Sequence, residues 1–170
     1  MLWILLSRFA DICLLRRSPA ELPASTVLAV LTSATIFLLS SASEWLGQPP
    51  RHFPEWPLVS LTASFLVVAT VVRLGGQPAR LKQTWIALTG CGALISIPMF
   101  MLALSVSTPA DEPGGQFPLT VLTMAFLLVW SIVVDAHIYR HALGVGLSAG
   151  MAIATLSYAL MVVMRTTLFP

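Results

Sequence analysis

Met124 to Val134 reads MAFLLVWSIVV. Ten of its residues are apolar or aromatic, and the single hydroxyl does not set up an alternation. A strand of a membrane barrel would place a polar residue at every second position to face its lumen. A helix hides all its backbone polar groups within itself, so a continuous apolar run suits it in lipid. The stretch therefore predicts a membrane-spanning helix, and the rest of the chain is read outward from it.

Four further runs share its character. With this one they are expected as spans over about 22–46, 56–72, 84–106, 117–134 and 147–164, within a single membrane domain covering 1–170. Each approaches the roughly 17–25 residues a helix needs to cross about 30 Å of hydrocarbon. Pro23 suits the first turn of the first span, and Pro98 predicts a kink in the third. The connections are rich in proline and glycine. No internal repeat or long linker divides the chain. Ser41-Ala42-Ser43 has the small residues of a signal-peptide cleavage site, but about forty residues precede it, too many for such a peptide. The fold class expected is all-α, a polytopic bundle of five transmembrane helices.

Composition agrees. Hydrophobic residues make up 57% of the 170, and charged residues only 9%. Soluble domains carry about 25% charged residues, so lipid is the better solvent for this chain. Its mean hydropathy is +0.89. The length leaves no room for a soluble catalytic domain beside the helices. A net charge of +2 offers no footprint for nucleic acid. Cys13 and Cys91, both in apolar settings, are expected as buried hydrophobes instead of a disulfide.

Met1 to Arg17 reads MLWILLSRFADICLLRR and differs from the spans. Ile4, Leu5, Phe9, Ile12 and Cys13 share one helical face, with Arg8 and Asp11 elsewhere. That pattern predicts an amphipathic helix lying in the membrane interface. Docking on the bundle is the equal alternative.

Charge sets the orientation. Threading five spans gathers Arg8, Arg16, Arg17, Arg73, Arg80, Lys82 and Arg140 on one side, leaving Arg51 and Arg165 on the other. Short loops rich in Lys and Arg stay in the cytoplasm. The N-terminus is therefore expected inside and the C-terminus outside. Trp45 and Trp56 at one boundary, and Trp85 at the other, are expected in interfacial aromatic belts.

Few residues offer chemistry. His137 and His141, four apart, share a helical face and are weak candidates for a metal. No Cys or carboxylate completes a tetrahedral set, and Asp135, two residues from His137, points elsewhere. Two ligands on one face of one helix cannot grip opposite sides of a haem. The segment Asp135–His141 is expected instead as a polar turn ending the fourth span, and no cofactor is called for. Asp135 is a minor candidate for an ion path, because carboxylates in spans often mark one. With the spans placed as above, no span centre carries a charge. Gly75-Gly76 has no strand before it to make a phosphate loop, and no catalytic triad spacing stands out, so no enzyme is expected. Ala142, Gly146, Gly150 and Ala154, at four-residue intervals, predict close helix packing, within the molecule before between molecules.

The run from Gly75 to Thr84, GGQPARLKQT, followed by an apolar span with a proline, resembles the Yip family of five-span membrane proteins. Trp130-Ser131 in the late helical pair, and a last span containing Gly and Ala, are also similar. The resemblance implies five spans and a non-enzymatic bundle. Eukaryotic members are adaptors in membrane traffic that contact small GTPases. This chain departs from them in its short N-terminal region, so that partner is not carried over.

These features lead to an expected interaction, scaffolding or accessory component of a membrane assembly, in a bacterial-type inner membrane. Its partners would be the bilayer and other membrane proteins, with Arg16, Arg17, Arg73, Arg80 and Lys82 facing the cytoplasm. A small transporter or channel subunit is the alternative, and a metal- or haem-binding subunit comes third. Polar groups converging inside the membrane would favour the transporter; a dry interior would favour the accessory component.

Overall fold

The computed structural model describes residues 2–47, 55–107 and 117–169. Among them there are six α-helices and no strand. They are α1 (Leu2–Cys13), α2 (Thr26–Gly47), α3 (Glu55–Leu74), α4 (Leu81–Ser107), α5 (Phe117–Leu143) and α6 (Leu147–Leu168). The five from α2 to α6 are long and apolar enough to cross a membrane. The all-α bundle with a short N-terminal helix is thus the fold.

The helices run alternately up and down. Side chains tie the ends that meet. Lys82 donates to the Thr26 hydroxyl at 3.3 Å, and Gln83 donates to the Leu22 carbonyl at 3.1 Å. Arg80 donates to the carbonyls of His141 and Ala142 at 2.8 and 3.1 Å, capping the carbonyls that α5 leaves open at its C-terminus. At the other end Arg165 of α6 grips Glu44 of α2 through both carboxylate oxygens, at 2.9 and 3.0 Å. Arg165 also lies 5.0 Å over the ring of Trp56, which meets Phe169 edge-on. All seven basic residues assigned to one side by threading lie at the first end. Arg51 is outside the described residues.

α4 is the axis of the bundle, with the largest buried share of the spans. It packs on α1, α2, α3 and α5. A hydroxyl pair joins it to α2, where Thr89 donates to Thr32 at 2.8 Å. Such bonds hold helices together where lipid tails compete equally for apolar surface.

Four expectations change. The first span begins at Thr26, not near Leu22, because Pro19–Glu21 form a short 3-10 turn capped by Ser18 and the chain is extended at Leu22. Leu22 is buried, and Ser25 caps the helix by accepting from the Leu28 amide. Pro23 therefore lies before the helix. The fourth helix continues nine residues past Val134 to Leu143. What ends it is Gly144, whose φ of 70° no β-carbon opposes and whose amide returns to the Arg140 carbonyl at 2.9 Å. The polar turn expected at 135–141 is helix. Trp85 belongs to the interior, 8% exposed, its indole N–H on Ser33 at 2.8 Å and its ring against Phe65. A buried indole with a hydroxyl partner has no need of the interface.

The N-terminal helix docks. Phe9, Ile12 and Cys13 are buried against α4 and α5. The Phe9 ring fills the notch left by Gly90, where a β-carbon would collide with it. The thiols of Cys13 and Cys91 are free, and each leans on a backbone carbonyl across the α1–α4 seam, at 4.0 and 3.8 Å. Ile4, expected on the same face as Phe9, is 57% exposed beside Trp3 and Leu6. The helix therefore has two apolar faces, one on protein and one turned outward.

Candidate functional site

Extending α5 to Leu143 moves Asp135 from the end of a span to its interior. Eight residues separate it from the helix C-terminus, a rise of about 12 Å. Ionisable groups at such depth face protein or a water-filled space instead of lipid. Asp135 does so, lining a partly open cavity of about 370 Å³ to which all five long helices contribute.

α5 supplies Ser131, Asp135 and Tyr139 to this cavity, one helical turn apart on one face. α4 adds Trp85, Thr89 and Ser96, and α3 adds Ser60 and Ser64. Ser40 comes from α2, and Ser157 and Tyr158 from α6. The cavity extends from the level of Pro57 and Met161, beneath the Arg165–Glu44 pair, inward to Asp135 and Tyr139. No hydrogen bond or ion pair among the described residues reaches the Asp135 carboxylate.

The hydroxyls around it have directional character. Ser60 donates to the Pro57 carbonyl at 3.0 Å, Ser131 to Leu128 at 2.8 Å and Ser157 to Ile153 at 2.8 Å. Thr89 likewise keeps its single proton within the helices, with the Thr32 hydroxyl and the Trp85 carbonyl each at 2.8 Å. Each proton goes back into the helices, and what these four hydroxyls offer the cavity is oxygen lone pairs. A carboxylate adds two more acceptors. Trp85, Tyr139 and Tyr158 supply aromatic walls. The polar part of the lining, gathered around Asp135, accepts hydrogen bonds and attracts positive charge, while residues such as Ile36, Leu61, Val68 and Ile95 make the larger part apolar.

The other face of α5 is a contrast. Val134 and Ile138 are fully buried on the α1–α4 side. His137, 7% exposed, donates from Nε2 to the Arg17 carbonyl at 3.0 Å. Its ring meets that of His141 edge-on at 4.5 Å. The histidines do share a face, as their spacing predicts. Among the described residues no group of three His, Cys, Asp or Glu gathers around a common point. One histidine nitrogen is occupied in fixing the N-terminal segment to the bundle.

The expected small-residue stripe is divided between two helices. Ala142 is on α5 and Gly146 precedes α6, in the loop. Gly150 and Ala154 are buried on α6. A β-carbon on Gly150 would strike the Ala136 carbonyl of α5. The stripe therefore closes the α5–α6 hairpin within the molecule. Of the basic residues, Arg17 pairs with Asp11 and Glu21 at 3.0 and 2.9 Å, and Arg80 and Lys82 bridge helices as above. Arg16 and Arg73 are exposed.

The serines were visible in the sequence but gave no signal, since serine is common in membrane helices. Ser131 with Asp135 and Tyr139 at four-residue spacing was the available clue, and the early end assigned to the fourth span concealed it. No family model, no curated protein and no solved structure matches this chain.

Proposed function

We propose that this chain is a small, non-catalytic membrane carrier that admits an organic cation bearing N–H donors into its central cavity. One observation carries the proposal: an unpartnered carboxylate inside the bundle, facing a space in which Ser60, Thr89, Ser131 and Ser157 have turned their protons back into the helices. A buried carboxylate is costly without a counter-charge. A guanidinium or ammonium would supply that charge, donate to the surrounding oxygens and rest against aromatic faces. The polar convergence favours the transporter alternative over a dry accessory bundle. The resemblance to Yip proteins supports a bundle without catalysis and is neutral on what it carries.

The proposed setting is a bacterial-type inner membrane with the basic end in the cytoplasm, following the Lys and Arg bias. Reporter fusions within 75–83 and after Pro170 are expected on opposite sides; both on one side would overturn the orientation. In that setting the Arg165–Glu44 pair lies toward the outer side, one helical turn beyond Met161 of the cavity lining.

The test uses benzylguanidinium, which keeps its charge and cannot leak through lipid as a neutral amine. Purified protein in liposomes should accumulate the labelled cation above protein-free vesicles. Asp135→Asn should abolish the uptake. No protein-dependent uptake by the wild type, or equal uptake by the Asn variant, would sink the carrier proposal.

A further inference from the structure

A second concavity of about 570 Å³ lies on the bundle surface between α2 and α3, close to the basic end, and is separate in character from the central cavity. Val30, Ala34 and Phe37 of α2 form one wall, with Leu58, Leu61 and Phe65 of α3 opposite. Its floor is Trp85, whose indole N–H is taken by Ser33. At the basic end the groove closes on Thr26 and Lys82. The Lys82 ammonium has the Thr26 hydroxyl at 3.3 Å and no carboxylate partner among the described residues.

We infer that this groove is a site for one anionic phospholipid of the leaflet at the basic end. The dimensions match a lipid and not a soluble solute. From Thr26 to Phe37 is eleven residues of helix, a rise of about 16 Å, half of the roughly 30 Å hydrocarbon layer. An acyl chain lying along α2 would therefore run from the headgroup level to the bilayer midplane. Its phosphate would meet Lys82, the Thr26 hydroxyl and the positive end of α2, whose first turn begins there. Lys82 is the point where charge and groove coincide. The other exposed basic residues at this end, Arg16, Arg17, Arg73 and Arg140, do not line the groove, so general attraction to an anionic surface would not single out one lysine. A lipid seated here would press on Phe65 and Trp85, and Trp85 is also a wall of the central cavity.

The experiment compares lipids retained by the full chain after exchange in nanodiscs of phosphatidylglycerol mixed equally with phosphatidylcholine, released into native mass spectrometry. The wild type should keep one phosphatidylglycerol at least about threefold over phosphatidylcholine. Lys82→Gln should lose that preference, Lys82→Arg should keep it, and Ala34→Leu should expel the lipid by filling the groove. Arg73→Gln should leave retention unchanged, and circular dichroism should report equal helix content for all variants. Equal retention of both lipids by the wild type would overturn the site. So would an Arg73→Gln loss as large as that of Lys82→Gln, or a Lys82 variant that alters dimer content instead of lipid content. None of these outcomes depends on Asp135 or on cation uptake.

Discussion

The two faces of α5 are built from residues one position apart and meet opposite surroundings. Val134 and Ile138 enter a close-packed seam with α1 and α4, each with no exposed surface. Asp135 and Tyr139, the next residue in each case, line the cavity instead. At 100° per residue, one step along a helix is enough to exchange one face for the other. The comparison teaches that a charge at this position is no sign of a helix ending. The bundle supplies a polar space on one side of α5 and a dry one on the other, and the helix passes between them.

Substitutions should expose that difference. Ile138→Ala removes packed atoms from the dry side and should cost about 2–4 kcal/mol, read as a fall in the midpoint of thermal or denaturant unfolding in detergent. Loss under about 0.5 kcal/mol would mean that the seam is not packed. Gly150→Leu should cost about 3 kcal/mol by forcing α6 away from the Ala136 carbonyl. Unchanged stability and association state would show that this face meets lipid. His137→Ala should cost about 1 kcal/mol through the lost bond to Arg17. His137→Gln, whose amide can still donate, should recover part of it. The effect is one of anchoring, and metal content measured on the purified double variant with His141→Ala should equal that of the wild type. Ser131→Ala, on the cavity face, should change stability by less than about 0.5 kcal/mol. A larger loss would bring Ser131 into the packed core and dissolve the contrast.

The architecture was legible because lipid imposes a simple rule. A run such as MAFLLVWSIVV can satisfy its backbone in lipid only as a helix, and the Lys and Arg bias groups the ends that the structure brings together. Boundaries were less legible where polar residues fall inside an element. Asp135, His137 and Arg140 resemble a terminus when each is judged alone. In the bundle His137 finds the Arg17 carbonyl, 120 residues away, and Asp135 finds a cavity shared by five helices. Neither partner is local in sequence. Trp85 misled for the same reason, since Ser33 and Phe65 come from other helices. The small-residue spacing found a true contact at Gly150 but ran through a turn, because Gly144 breaks the helix inside the pattern.

The central claim is that the Asp135 face of α5 holds an organic cation, and titration calorimetry of benzylguanidinium into the purified protein tests it most directly. The account predicts one site per chain in the wild type and in Ser131→Ala. In Asp135→Asn the affinity should fall about 10- to 100-fold, the equivalent of a charge-assisted hydrogen bond worth about 1.5–3 kcal/mol. No binding to the wild type, or an unchanged isotherm in Asp135→Asn, would contradict it.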